Sequence, residues 1–373
     1  MEVLYEATGM PTQTCVLLDT REEAERYPTG DLRLGFCPNC GFIQNLAYDP
    51  DLVDYSQSTE ESQAYSGKFQ TFAHELARNL VDTHGLVGKS VLEVGCGKGD
   101  FLLLLADCGI GDGVGIDPGY LANRPETRSG RIEFIRDWYD ADSTEMTADL
   151  VLSRHLMEHV PNVGEFLRWL AASTSRTPGA VLFTEVPDTF RVLEEGAFWD
   201  VYYEHCSYFT AGSLSRALAS AGFDVTEVRK GFEDQYLLAT ARPGSGQPLP
   251  GLDDPAEVSA SAASFASRSA ERISLWRDTI GGELAAGREV AVWGGGSKAV
   301  AFLTTLDVGP ITVVDINPHK QGKWLPTLGI EVQSPDSLAG LAPELVIPMN
   351  VAYVEEIGTS LEAMGLSPRI LPV

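Results

Sequence analysis

The stretch Val91-Leu92-Glu93-Val94-Gly95-Cys96-Gly97-Lys98-Gly99-Asp100 reads as an apolar strand that runs into a turn with glycine at every second position. A helix is predicted directly after it, over Phe101 to Ala106, and a second apolar run closes on Ile116-Asp117. Glycines at such a turn bring bare backbone amides against a ligand that side chains would keep away. That geometry suits an adenosyl cofactor.

Outward from this turn the pattern alternates. Apolar residues at helical spacing (Phe69, Phe72, Ala73, Leu76, Leu80) predict an amphipathic helix between Glu60 and Thr83, leading into a strand over Ser90 to Val94. Strands are predicted at Gly113 to Asp117, Ile132 to Ile135, Asp149 to Ser153 and Ala180 to Val186, with a helix over Val163 to Ser173. Such alternation implies an α/β fold with a mainly parallel sheet and ligands at the carboxyl ends of its strands. Residues 241–269 are rich in Pro, Gly, Ser and Ala and lead into a helix from about Pro255 to Leu284. A second strand and glycine turn, Glu289-Val290-Ala291-Val292-Trp293-Gly294-Gly295-Gly296-Ser297-Lys298, then precedes a strand ending Val313-Val314-Asp315, another βαβ unit. Four segments follow: a cysteine-bearing module over 1–58, a cofactor domain over 59–245, a linker and helix over 246–285, and a Rossmann-like domain over 286–373.

The 373 residues suit two or three cores, and 44% hydrophobic content excludes wholesale disorder. With 53 acidic against 27 basic residues the formal charge is −26. That field repels phosphate backbones and anionic lipid, which argues against nucleic-acid and membrane partners. No signal peptide and no run of 18 apolar residues is seen, so a cytoplasmic protein is expected. Six cysteines in such a chain suggest thiols or metal ligands rather than disulfides. Cys37-Pro38-Asn39-Cys40-Gly41 has the form of a zinc knuckle, with Cys15 offered as a third ligand; an unmetallated remnant turn reads equally well.

Two cofactor classes use turns of this kind. Dinucleotide enzymes space their glycines Gly-x-Gly-x-x-Gly. Glu93 followed by Gly95, Gly97 and Gly99 resembles instead motif I of class I S-adenosylmethionine (SAM) methyltransferases. The resemblance implies that Glu93 and the glycine backbone flank the methionine part of SAM and that Asp117 binds both ribose hydroxyls. It places Asp137 and Trp138 near the adenine and Ser153-Arg154-His155 under the sulfonium. His155-Leu156-Met157-Glu158-His159 looks like an inverted zinc-protease string, but the same His-x-x-Glu-His-Val-Pro string is common after the fourth strand of these methyltransferases.

A third stretch, Phe198-Trp199-Asp200-Val201-Tyr202-Tyr203-Glu204-His205-Cys206-Ser207-Tyr208-Phe209, and the later Asp315-Ile316-Asn317-Pro318-His319-Lys320-Gln321-Gly322-Lys323, extend the likeness. Over nearly its whole length the chain resembles the three-domain C-methyltransferases of nucleotide-linked keto-deoxysugars, which carry an N-terminal zinc module, a SAM domain and a C-terminal Rossmann-like domain. By that resemblance Tyr202, Glu204 and His205 are the catalytic string. Forming a carbon–carbon bond needs a base to remove a proton alpha to a carbonyl and donors to steady the enolate. His205 is the expected base, Glu204 orients it or binds a sugar hydroxyl, and Tyr202 serves as donor or relay. Gln63, Tyr65 and Ser66 lie in the segment that covers SAM in the family. Tyr203, Gln235, Tyr236 and Lys298 are the expected substrate contacts.

The chain departs from that family in three places. It opens at Met1-Glu2-Val3-Leu4-Tyr5, just past the family's first Cys-x-x-Cys; it carries Gly231-Phe232-Glu233-Asp234-Gln235-Tyr236 where the family has His-Gly-Gly-Ser; and its C-terminal turn reads Trp-Gly-Gly-Gly-Ser-Lys. O- or N-methylation of another metabolite is therefore a competing reading. From another class, the C-terminal turn with Asp315 would bind NAD, as in a dehydrogenase or a nucleotide sensor.

Overall fold

A computed structural model of the chain describes residues 1–55, 59–121 and 131–373. Its centre is a seven-stranded sheet with Val91–Val94 in the middle. On one side lie Asp112–Ile116 and Arg131–Ile135; on the other lie Leu150–Arg154, Val181–Pro187, Tyr236–Pro243 and Phe223–Gly231. Every pairing from Arg131–Ile135 to Val181–Pro187 is parallel, and Tyr236–Pro243 runs antiparallel to both its neighbours. The inner strands Val91–Val94, Leu150–Arg154 and Val181–Pro187 are buried along nearly their whole length, as a parallel sheet covered on both faces requires.

A second sheet at the C-terminus has the order Trp324–Leu325, Ile330–Gln333, Thr312–Val314, Val290–Trp293, Leu345–Pro348, Arg369–Ile370, parallel except for its first pair. The expected pair of Rossmann-like units is thus present. The N-terminal module is an antiparallel sheet of Glu2–Pro11, Thr29–Phe36 and Ile43–Asn45. Its fourth strand, Ser207–Tyr208, comes from the far end of the Tyr202 to His205 string. The string is therefore built into the N-terminal sheet rather than left as a free loop. The expected boundary after residue 58 lies outside the described residues.

The helix expected from about Pro255 to Leu284 is present as Pro255–Ala285, capped by Asp254 and with proline in its first turn, where the missing N–H costs nothing. Phe265 of this helix meets Tyr5 edge-on at 5.1 Å. Trp276 packs on Phe302 at 5.3 Å, and Phe302 stacks on Phe198 at 5.8 Å. One apolar core thereby joins the N-terminal sheet, the string, the long helix and the C-terminal sheet.

The helix expected from Glu60 begins only at Gly67 and ends at His84. Ser66 caps it by accepting the Phe69 N–H at 3.2 Å, and an N-cap residue sits outside helical geometry. Residues 60–66 run instead as an irregular strap beside the glycine turn.

Phe302 is fully buried where three segments meet. Phe302→Ala is expected to cost about 3–5 kcal/mol, and Phe302→Leu far less. Denaturant unfolding followed through the fluorescence of Trp199 and Trp276, which touch the ring, checks this.

Candidate active site

The three glycines of the first turn all have positive φ, at 74°, 53° and 83°, but they serve different ends. A Cβ on Gly95 would strike Leu156, and one on Gly99 would strike the Phe134 ring. These two glycines allow packing, and Gly99 lies outside the cleft lining. Gly97 opens on the cleft, where the nearest atom to an added Cβ is Glu61 Oε1 at 3.3 Å. It also donates its N–H to Asp117 Oδ2 at 2.9 Å, while Gly119 N–H reaches Asp117 Oδ1 at 2.7 Å. Burial raises the Asp117 carboxyl despite these two bonds.

Glu93 is buried, and its Oε2 has no partner in the structure. Burial pushes its pKa up to about 8, with Arg154 opposing. An orphaned acceptor beside a bare-backbone cradle fits a ligand that carries hydroxyl donors and positive charge, as SAM does. Glu93, Gly97 and Asp117 are the residues that would hold it. Trp138, 58% exposed, stands at the same cleft edge-on to Tyr55.

Two expected cofactor contacts fall elsewhere. Asp137 is exposed outside the cleft lining and caps the Trp138 N–H at 2.8 Å, the behaviour of an ordinary turn residue. Ser153 is fully buried in the sheet interior, behind the lining. Gln63 reaches the cleft with its amide already used: it donates to Tyr236 Oη at 3.0 Å and accepts from Tyr353 Oη at 2.7 Å. Tyr65 lies at the cleft, with its ring edge-on to His319.

Tyr202, Glu204 and His205 line the same cleft. Tyr202 Oη donates to Asp200 Oδ1 at 2.9 Å, and Asp200 Oδ2 meets Arg191 at 2.5 Å and Lys298 at 3.1 Å. Burial alone would lift the Asp200 pKa, but Lys298 and Arg191 outweigh it and hold the carboxyl well below its usual range. Lys298, one of the expected substrate contacts, is committed to Asp200 and to Gln235 Oε1 at 3.1 Å. Gln235 in turn exchanges amide hydrogen bonds with Asn350. Tyr203 turns away from the cleft: its hydroxyl accepts the Asp49 N–H at 2.9 Å and its ring stacks on Tyr48.

Glu204 does not orient His205. Both its oxygens are held by Thr14, one by the backbone N–H at 2.8 Å and the other by the hydroxyl. Burial raises the Glu204 pKa to about 7. The His205 ring is clasped edge-on by Tyr202 and His159, each at 4.7 Å. Burial and the neighbouring His159 hold it well below the ordinary imidazole range, so His205 is neutral. His159 is a satisfied residue: Tyr55 Oη is 3.1 Å from its Nδ1, and it bonds the Glu204 backbone.

A feature the sequence left unread is the state of His155. Its φ of 49° is unusual for a side-chain-bearing residue. The twist sets its ring against Tyr236 at 4.5 Å and places Nε2 3.3 Å from Glu185 and Nδ1 3.7 Å from Glu158. Burial opposes charge there, but the two carboxylates prevail and lift its pKa to about 9. Glu185 itself also holds Arg154 at 2.5 Å and is lowered to about 2. The two carboxylates thus favour the protonated ring at the cleft wall. The signal available in sequence was an acid ending the fifth strand of the fold, Glu185, next to an Arg-His pair ending the fourth.

The cysteine site does not close. Cys37 and Cys40 do form a knuckle turn, with Gly41 N–H on Cys37 O at 2.8 Å, and backbone N–H groups of Asn39 and Cys40 lower the Cys37 pKa. Cys15 is not their partner: it lies in the cleft, its Sγ 3.1 Å from Ser297 Oγ. Arg216 occupies the flank of the knuckle and donates to Cys40 O at 3.0 Å. Two thiols beside a guanidinium do not fit a closed zinc site. Among the described residues the sole group spaced for a metal is Glu158, His159 and His205, and His159 is already engaged.

The C-terminal glycine turn repeats the first with a different filling. Asp315 Oδ2 accepts the Gly295 N–H at 2.7 Å, as Asp117 does for Gly97 twenty residues earlier in its own strand pair. Here, however, Lys320 sits 3.7 Å from Asp315 and would be 3.4 Å from a Cβ on Gly296. The chain's own cation thus packs against the turn and pairs with its strand-end acid.

A family model described as a methyltransferase domain matches residues 65–228, and one described as a C-methyltransferase C-terminal domain matches residues 258–366. The C-methyltransferase NovU of Streptomyces niveus is 29% identical over 368 residues, covering 91% of this chain and 85% of that protein. A ubiquinone biosynthesis O-methyltransferase of Nitrosospira multiformis is 26% identical over 212 residues, 50% of this chain and 86% of its own. Among solved structures, a magnesium protoporphyrin IX methyltransferase from Synechocystis with bound SAH aligns at 16% identity and TM-score 0.37, covering 50% of this chain and 90% of that one. The 1,6-didemethyltoxoflavin-N1-methyltransferase of Burkholderia thailandensis aligns at 17% identity and TM-score 0.36, covering 57% and 99%.

Asp117→Asn removes the charge that faces the cleft but keeps an acceptor for Gly97. Because the Gly119 N–H then loses its acceptor, the melting temperature is expected to fall by a few degrees, and S-adenosylhomocysteine binding to weaken on the order of 10-fold or more, read by calorimetry. With its two family domains in this order and the glycine turn, Glu93 and Asp117 in one cleft, the chain is a class I SAM-dependent methyltransferase that resembles the three-domain C-methyltransferases.

Proposed function

We propose that the chain methylates a carbon beside the carbonyl of a small, nucleotide-linked keto-sugar. The observation that carries this reading is a single cleft of about 1360 Å³ that joins Glu93, Gly97 and Asp117 to Tyr202, Glu204 and His205. Sites for one small molecule usually hold about 300–1,000 Å³, so the cleft has room for a cofactor and an acceptor side by side. The likeness to a C-methyltransferase along 91% of the chain supports carbon as the methylated atom. The sugar comes from the family resemblance of the Tyr202 to Phe209 string.

SAM supplies the methyl group as an electrophile on a sulfonium sulfur. The protein's part is to make a nucleophilic carbon. His205, neutral and buried at the cleft wall, takes the proton alpha to the substrate carbonyl. The Tyr202 hydroxyl already donates to Asp200, so the positive charge of His155, whose ring lines the cleft, is the group that steadies the enolate oxygen. Asp200, clamped by Arg191 and Lys298, fixes the Tyr202 ring against which His205 packs.

A second assignment makes Glu204 the base, favoured by its pKa of about 7. The pH profile separates the two. With His205 as base the reacting form is present throughout, so kcat is expected to be flat from about pH 6 to 8. It then falls as His155 loses its proton near 9. With Glu204 as base the carboxylate must ionise, and the rate would climb through pH 7.

The reaction itself is tested with methyl-labelled SAM and a panel of nucleotide-linked keto-sugars. The expected product carries the label on carbon by NMR. Label on oxygen or nitrogen, or none with any keto-sugar, contradicts the reading.

A further inference from the structure

We propose that Asn317 and Glu356 of the C-terminal domain are positioning residues for the cofactor: they hold the strap of residues 59–67 against the first glycine turn. The inference rests on SAM occupying the cleft at Glu93 to Asp117 and goes beyond it by giving the C-terminal domain a task there.

The strap touches the cofactor end directly. Glu61 lies 3.8 Å from Lys98 and is the nearest group to Gly97, and Ser62 Oγ donates to Asp100 at 3.1 Å. Yet the strap has almost no structure of its own. Beyond the bridge of Thr59 to Val16 and the bond of Glu60 N–H to Cys15 O at 2.8 Å, its backbone makes only local turns up to the helix start at Gly67, such as Ser66 N–H to Gln63 O at 3.1 Å. Its shape must come from outside.

Much of that outside support is C-terminal. Asn317 Nδ2 donates to Glu60 Oε1 at 3.1 Å and to Ser62 O at 3.4 Å, and both Asn317 and Glu60 are buried. Glu356 accepts from Ser66 Oγ at 2.7 Å and from the Gly67 N–H at 3.0 Å, placing a carboxylate at the start of the helix Gly67–His84. Tyr353 donates to Gln63. Asn317 is itself fixed by Asp315, which accepts its N–H at 2.8 Å. The strand-end acid that faces a cofactor in the first Rossmann-like unit thus supports, in the second, a side chain that reaches back to the first.

A strap held in place before binding needs no ordering when the cofactor arrives, and a fall in the held fraction weakens apparent affinity by the same factor. The test uses the full chain, with S-adenosylhomocysteine as probe. Asn317→Ala with Glu356→Ala is expected to raise its Kd on the order of 10-fold and to speed amide exchange over residues 59–67 in the cofactor-free protein. KM for SAM should rise while kcat at saturating SAM stays within about twofold. Glu356→Gln, which keeps one acceptor for the Gly67 N–H, should recover part of the loss. Tyr353→Phe removes one hydroxyl and nothing from the fold, so it reports even where the double variant fails to fold; its expected Kd increase is about threefold. Unchanged Kd and unchanged exchange in variants that fold would overturn the inference while leaving the cofactor site intact. Failure of the unmutated protein to bind the probe would instead overturn the cofactor reading on which it rests.

Discussion

The buried carboxylate of Asp200 is the joint on which this molecule turns. It sits in the string of residues 198–209 and is gripped from three directions: by Arg191 of the methyltransferase domain, by Tyr202 two residues on, and by Lys298 of the C-terminal domain. Each of these groups would be costly to bury alone. Together they satisfy one another, and breaking such a buried set strands a charge at a cost of about 3–5 kcal/mol. The aromatic stack of Phe198, Phe302 and Trp276 lies beside this joint. Domain contact and active-site geometry are therefore one structural fact.

That arrangement explains why the string of residues 198–209 is so rich in aromatic residues without being only a core. Its outer ends are packed, by Phe198 against Phe302 of the C-terminal domain and by Tyr208 into the N-terminal sheet. The middle presents His205 to the cleft. Rigid flanks with a polar centre hold a weakly basic imidazole neutral and in place.

Much of this was legible in the sequence. The Gly95 to Gly99 turn with Asp117 gave the fold and the cofactor end, because backbone exposure at a strand end depends on a short local pattern. The second unit at Gly294 to Asp315 was read for the same reason. What failed were readings that depend on long-range partners. Cys15 looked like a ligand for Cys37 and Cys40 but belongs to the cleft; Glu204 looked like an orienter for its neighbour but is taken by Thr14, 190 residues away. Asp137 and Ser153 stand at the right strand ends and point elsewhere. The helix expected from Glu60 stops short at Ser66 because residues 60–66 are shaped by Asn317 and Glu356, which no local periodicity reveals. The charge on His155 likewise needs Glu185 from the adjacent strand.

The central claim is that His205 removes a proton from carbon, and its most direct test is deuterium wash-in. With S-adenosylhomocysteine in the cofactor site and a nucleotide-linked keto-sugar in deuterated water, the account predicts exchange of the proton alpha to the carbonyl, lost in His205→Ala while the variant still binds S-adenosylhomocysteine. Exchange that persists at the wild-type rate in His205→Ala would contradict it.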